Sequence, residues 1–246
     1  MTDRYHRQTV LPEWGPQGQL LIKKARVAVV GAGGLGSPSL LYLAGAGVGH
    51  LTIIDHDVVE TSNLQRQILY RTDEVGQLKA ELAQKQLLRL NPEISITIHT
   101  TQLNDDNAHQ YLADHDIILD AVDNFATRHL ISKTSQILKT PVVFGALQGF
   151  DAQLSVFPPQ GPCYRCLYPQ EPNWKPQGAN RGVPGPMPGM LGALMALEAI
   201  KIVLNQQPES QQLMDIQEGY ILTFDGRTGE SARRKLSKQA NCPLCG

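Results

Sequence analysis

Charge imbalance is missing from this 246-residue chain: 22 Lys and Arg stand against 23 Asp and Glu, a net charge of −1. Without a basic or acidic excess, bulk electrostatics give no support to a nucleic-acid or membrane-surface role, so neither kind of partner is expected. Long hydrophobic runs are also missing. None reaches the roughly 18–20 apolar residues that a membrane span needs, and the opening "MTDRYHRQTV" has no apolar signal core, so the expected location is the cytoplasm. There is no internal repeat, and the Gln-rich "NQQPESQQ" reads as a solvated turn. The seven histidines show no ligand spacing and read as structural or solvated. Only four cysteines occur, but they fall in two close pairs.

What is present is an ordinary globular composition, 41% hydrophobic and 18% charged, in a chain long enough for one sizeable core or two small ones. "RVAVVG" (26–31) is a short β-branched run ending in glycine, as a buried parallel strand does. A helix is expected over 34–47 and a second strand over 50–55, with "GAGGLG" between the first strand and the helix. That is where a dinucleotide-type βαβ unit places its phosphate turn. Further on, 79–90 reads as an amphipathic helix stopped by Asn91-Pro92, 94–98 and 116–120 as strands, and 124–138 as a helix. Strands follow at 141–146 and 152–157. This alternation predicts an open, mostly parallel sheet flanked by helices. From Pro158 to 188 the chain is dense in Pro and Gly and reads as a long irregular crossing segment. An apolar helix (190–204) and two strand-like runs, "YILTFD" and "ARRKLS", complete a C-terminal mixed extension. The expectation is one α/β domain over 1–246: a nucleotide-binding part (1–157), a crossover loop (158–188) and a C-terminal part (189–246).

Cys163 and Cys166 ("CYRC") and Cys242 and Cys245 ("CPLC") are two C-x-x-C pairs with 75 residues between them. Four thiolates so arranged suit a tetrahedral structural Zn²⁺, which would staple the tail to the crossing loop. Disulfides fit a cytoplasmic chain poorly. A redox pair normally opens a helix, whereas these pairs lie in Pro/Gly-rich sequence.

The glycines Gly31, Gly33, Gly34 and Gly36 do not decide between a redox dinucleotide and ATP, since both present phosphate to the same helix end. Asp55, 19 residues after Gly36, suits the ribose of either. The cations discriminate. "NLQRQ" (63–67), Lys79 at a helix start, and Arg4 and Arg7 exceed what hydride transfer needs, and they suit an enzyme that attacks a triphosphate. Asp123, past the tip of the strand at 116–120, lies where an acid holds Mg²⁺ beside a ligand crevice. Each residue also has an ordinary reading: Asp55 and Asp57 as strand-end solvation, Asp123 as a helix N-cap, the arginines as surface pairs.

Taken in order, "RYHRQ", "GAGGLGSP", "AGAGVGHLTIID-D", "SNLQRQ-L", "VG-LKAE", "D-VDN-ATR", "CYRCL-P", "ALEAIK" and "CPLCG" resemble the ThiF/MoeB/HesA family, bacterial relatives of ubiquitin-activating enzymes. "CYRCLYP" and "ATRHLISKTS" look closer to ThiF than to MoeB. The resemblance implies a Rossmann-like fold with a four-cysteine zinc staple and an adenylyltransferase. The Gly-Gly tail of a small ubiquitin-fold sulfur carrier attacks the α-phosphate of ATP and releases pyrophosphate. It implies that Gly31, Gly33, Gly34 and Gly36 form the nucleotide loop, that Asp55 binds ribose, and that Asn63, Arg66 and Lys79 contact the triphosphate. Asp123 is the magnesium-site acid, Arg7 reaches the neighbour's site in a homodimer, and Asp57 lies nearby. The carrier is ThiS-like, for thiamine thiazole synthesis, or MoaD-like, for molybdopterin. An NAD(P)-dependent oxidoreductase is the reading from another class, and a non-catalytic carrier-binding scaffold a third.

One departure stands out. ThiF-type members often carry a further cysteine shortly before a "G-V-V-G-P" run. Here the run is "GVPGP" (182–186), and Gly178 stands near that position. The expectation is adenylation without a covalent thiol step, with sulfur delivered by a separate cysteine desulfurase or rhodanese-type protein. With the sequence ending at Gly246, no fused rhodanese domain is expected. Trp174 reads as a contact for the carrier; Trp14 has no assigned role.

Overall fold

The computed structural model describes residues 4–170, 182–207 and 214–246. Trp174 and Gly178 lie outside them. In chain order the elements are α1 (His6–Thr9), α2 (Gly15–Lys24), β1 (Arg26–Val30), α3 (Gly36–Ala46), β2 (His50–Ile54), α4 (Lys79–Leu90), β3 (Ser95–His99) and α5 (Ala108–Leu112). Then follow β4 (Ile117–Asp120), α6 (Phe125–Leu138), β5 (Val142–Gln148), β6 (Asp151–Phe157), α7 (Tyr164–Leu167), α8 (Pro186–Leu204), β7 (Tyr220–Asp225) and β8 (Glu230–Lys235).

Among the described residues eight strands form one sheet in the order β3-β2-β1-β4-β5-β6-β7-β8. Pairings from β3 to β5 are parallel, and those from β5 to β8 antiparallel. From β1 the chain steps outward through β2 and β3, then returns to add β4 on the other side. This reversal opens a crevice beyond the carboxyl ends of β1 and β4, the usual ligand position in such sheets. Side chains alternate across β1: Val27 and Val29 enter the core layer shared with α2, α3, α4 and α8, while Ala28 and Val30 enter the layer shared with α5, α6 and α7. Both faces are covered, so the strands read as continuous apolar runs.

Two glycines make the turn after β1 possible. Gly31 has φ +93°, in the left-handed region. A β-carbon on Gly36 would fall 2.0 Å from the Gly31 carbonyl oxygen, so only glycine lets α3 start this close to the strand.

Two expectations need correction. The stretch 158–188 is not wholly irregular, because α7 occupies part of it and α8 begins at Pro186 rather than near 190. Proline at a first helical position loses no hydrogen bond, so a Pro-rich sequence here still opens a helix. In addition, α8 is long and apolar enough to cross a membrane by length and composition. About three fifths of its apolar stretch is instead buried within the fold, packed on α2, α3 and β5. Its buried Glu198 pairs with Lys201 and accepts from the Gln217 N–H at 2.8 Å.

Candidate functional site

A cavity of about 570 Å³ occupies the crevice at the carboxyl ends of the parallel strands. Gly31, Gly33 and Gly34 line it, together with Asp55, Asp57, Asn63, Arg66, Lys79 and Asp123. The structure therefore gathers these nine expected site residues from five separate chain segments. Gly36 stands behind the loop as the first residue of α3 and does not line the cavity. Arg7 is exposed on α1, outside the cavity of its own chain.

Asp55 closes the end of β2 and is largely buried. Its carboxylate accepts from the backbone N–H of Ala32 (2.7 Å) and of Asp57 (2.8 Å), which locks the glycine loop to the next strand. Burial pushes the Asp55 carboxyl above its ordinary pKa; those two N–H groups and Lys79 oppose the shift. Tyr70 holds the next peptide of the same residue, its hydroxyl donating to the Ala32 carbonyl at 2.7 Å.

Lys79 is 4% exposed at the start of α4. Its Nζ lies 3.1 Å from Asp57 Oδ2, and its backbone N–H donates to the Asp57 carbonyl at 2.9 Å. A buried ammonium held by one largely exposed carboxylate is a charge kept facing the cavity. Asn63 ends a single 3₁₀ turn (Thr61–Asn63) and its Oδ1 accepts from the Glu60 N–H at 3.2 Å. One turn later, Arg66 Nη1 donates to the Ser62 carbonyl at 3.0 Å.

Asp123 is exposed in the loop after β4. The N-cap of α6 is Asn124, whose side chain accepts from the Thr127 N–H at 2.9 Å. The capping role open to Asp123 in the sequence therefore belongs to its neighbour.

Sequence reasoning assigns no role to Arg128, the arginine that ends "D-VDN-ATR". It lines the cavity, and its Nη2 donates to the Val122 carbonyl (2.7 Å) and the Gly145 carbonyl (3.3 Å). Its Nε lies 3.9 Å from Asp120 Oδ1. It thus braces the loop that carries Asp123. The signal for it is an arginine one turn into a helix whose first turn faces a crevice. Asp120 is 2% exposed, and burial pushes its carboxyl up to about 6, with Arg128 and the Val122 N–H pulling the other way. The unfolded carboxyl titrates near 4. Between these values the folded state holds a proton that the unfolded state has lost, so stability falls as pH rises from about 4 to 6. Asp120→Asn is expected to remove this component, flattening the melting-temperature profile across that window in thermal scans.

The four cysteines form a second centre. Their sulfur atoms all lie within 4.8 Å of one another. Cys163–Cys166, Cys163–Cys242 and Cys166–Cys245 are separated by 3.9, 3.7 and 3.4 Å. All four are free thiols, and these spacings exceed the ~2.05 Å of a disulfide. A tetrahedron with Zn–S bonds of about 2.3 Å has edges near 3.8 Å, so the donor set fits Zn²⁺. One premise needs correction: the first pair does open a helix, with Cys163 as N-cap of α7 and Cys166 inside it. What weighs against two redox pairs is that all four sulfurs meet at one point.

The ThiF family model matches residues 5–244. The chain is 44% identical over 255 residues to a sulfur carrier protein adenylyltransferase of Thermus thermophilus, covering 99% of this chain and 90% of that one. It is 46% identical to the adenylyltransferase and sulfurtransferase MOCS3 of Culex quinquefasciatus, of which it spans 55%. A crystal structure of E. coli MccB with MccA-N7isoASN superposes with a TM-score of 0.85 at 23% identity, over 100% of this chain and 76% of that one, a likeness of fold. With a match along almost its full length and close relatives covering nearly all of it, this chain belongs to the ThiF family.

Proposed function

We propose that this chain, an adenylyltransferase, uses ATP to adenylylate the C-terminal Gly-Gly carboxylate of a small ubiquitin-fold sulfur-carrier protein, releasing pyrophosphate. The observation that carries this reading is that Asn63, Arg66, Lys79 and Asp123 line one cavity with the glycine loop. Peptide N–H groups at the loop and the N-terminus of α3 offer an anion cradle. Lys79, aimed by Asp57, and Arg66 add positive charge where negative charge develops on phosphate oxygens. Asp55 binds ribose while tying down the loop.

The carrier's carboxylate is ionised at neutral pH and needs no general base. One of its oxygens bonds to the α-phosphorus as the bond to the bridging oxygen of the β-phosphate breaks, and that electron pair leaves with pyrophosphate. Catalysis then rests on alignment and charge neutralisation. Asp123 would hold Mg²⁺ jointly with the nucleotide's own phosphates, as this ion is commonly held. When bound, it neutralises charge on the departing group. Arg7, exposed outside its own cavity, is assigned to the partner's site in a homodimer. Zn²⁺ at the four cysteines is structural, and sulfur comes from a separate desulfurase or rhodanese-type donor. The place of action is the cytoplasm.

The proposed carrier is ThiS-like, serving thiazole synthesis. A MoaD-like carrier is the second reading, supported by the similarity to a relative named for both adenylyl and sulfur transfer. ATP–pyrophosphate exchange should rise when a Gly-Gly-ending carrier is added and stay at background with a carrier lacking the terminal glycine. Running both carrier types in parallel separates the pathways. Nicotinamide fluorescence quenching without any exchange would instead establish the oxidoreductase reading.

A further inference from the structure

The N-terminal arm is tied down on both sides of Arg7. Arg4 donates to the Leu90 carbonyl at 3.0 Å, and Gln8 donates to the Ala46 carbonyl at 3.2 Å. Between them in sequence, Tyr5 lies across Gly47, where a β-carbon would fall 2.6 Å from its ring. Gly47 also ends α3 in the left-handed region, with φ +86°, so one glycine serves the helix end and admits the ring. The Tyr5 hydroxyl accepts from Asn91 Nδ2 at 2.9 Å, and the buried Asn91 donates in turn to the Ala44 carbonyl at 2.7 Å. The Tyr5 carbonyl accepts from the Gln8 and Thr9 N–H groups, at 2.8 and 3.0 Å, which winds the turn that carries Arg7.

Arg7 itself is exposed, and no side-chain hydrogen bond or ion pair to it occurs among the described residues. Ordering an arm costs backbone entropy at every residue. Here the contacts that offset this cost leave the guanidinium free. They also hold it far from its own cavity. Tyr5 and Asn91 sit at the far ends of α3 and α4, whose first residues are Gly36 and Lys79. Helices of 11 and 12 residues span about 16–18 Å, beyond the reach of one arginine side chain.

We propose that Tyr5 is a positioning residue for adenylyl transfer in the partner subunit: by fixing the arm on its own α3 and α4, it presents Arg7 to the neighbouring site. This rests on the assignment of Arg7 to a homodimer partner given above.

The test uses full-length chains in mixed dimers. Tyr5→Leu homodimers should lose carrier-stimulated ATP–pyrophosphate exchange by about tenfold or more. A Tyr5→Leu chain is then co-expressed with a Lys79→Ala chain under a different tag, and dimers carrying both tags are purified. The Tyr5→Leu protomer keeps its own Lys79 and receives Arg7 from an intact arm, so one site of two works and exchange returns to about half the wild-type value. Arg7→Ala paired with Lys79→Ala is the reference and should recover equally. If Tyr5→Leu homodimers stay within about twofold of wild type, the proposal is overturned. It is also overturned if the Tyr5→Leu pairing is no faster than its homodimer while the Arg7→Ala pairing recovers, since Tyr5 then acts only within its own chain. An Arg7→Ala pairing that does not recover, or a catalytically active monomer, removes the Arg7 assignment and the role of Tyr5 with it. Should Tyr5→Leu fail to fold, Tyr5→Phe is read in the same pairing. A loss of at least about threefold that the pairing restores supports the proposal, and a smaller or unrestored loss overturns it.

Discussion

Asp123→Ala should lower carrier-stimulated ATP–pyrophosphate exchange by about 10²–10³-fold without measurable change in melting temperature. The two halves of this expectation come from the same geometry. The carboxylate is exposed at the mouth of the crevice, and no hydrogen bond or ion pair to it occurs among the described residues. Removing it therefore leaves no buried partner stranded, and surface changes of that kind typically stay within about ±0.5 kcal/mol. Its neighbour supplies the control. Asn124 caps α6, so Asn124→Ala should cost about 1 kcal/mol, roughly 2–4 °C in a chain of this size. If Asp123 were merely structural, the stability loss would move to it from Asn124. Exchange that survives Asp123→Ala undiminished removes the magnesium-site assignment. The ATP Kd, measured without the metal, should change little, which separates loss of the ion from collapse of the pocket.

How much of this was legible in the sequence depends on whether the signal was local. The buried strands declared themselves because each carries its own apolar run. The helix at Lys79–Leu90 agrees to the residue, since its periodicity is clean and Asn91-Pro92 ends it. The glycine turn was readable because steric demands at Gly31 and Gly36 leave no other choice. By contrast, α2 gave no signal: its sequence GPQGQLLIKK buries only Gly18 and Ile22, too thin a stripe for periodicity to register. Nonlocal devices were equally silent. The pairing of Lys79 with Asp57, the clamp of Tyr70 on Ala32, and the brace of Arg128 under the Asp123 loop are each made by the folded backbone rather than by a sequence pattern. Residue types at a site can be read from motif order, but what aims them is a property of the fold. The same limit explains the Cys163 helix, where proximity of the two pairs was inferable and the local backbone was not.

Zinc measured by mass spectrometry should amount to one ion per chain in the wild type and be lost in Cys242→Ser, with a large local consequence. Beyond β8 the tail has little else to hold it. Around the buried Cys163, Cys166 and Cys242 only Leu244 and Cys245 pack as partly buried apolar groups among the described residues. Gln239 adds a side-chain hydrogen bond to the Cys166 carbonyl at 2.9 Å. Structural zinc contributes on the order of 10 kcal/mol in small domains, far more than these contacts offer. Amide exchange over residues 239–246 should therefore accelerate at least about a hundredfold in Cys242→Ser, while the parallel strands keep their protection. The loss should also reach the cavity by a defined route. On α7, Tyr164 is buried against Phe144 and Phe157, and Tyr168 packs on it. The Tyr168 hydroxyl donates to Gln153 Oε1 at 2.8 Å, and both residues line the cavity wall away from the glycine loop. Loosening α7 should thus raise the KM for the carrier while leaving the ATP Kd near its wild-type value. Wild-type protein that takes up no zinc when supplied with it in reducing buffer would refute the staple, and an equal loss of ATP binding would show that the wall and the phosphate loop are not mechanically separate.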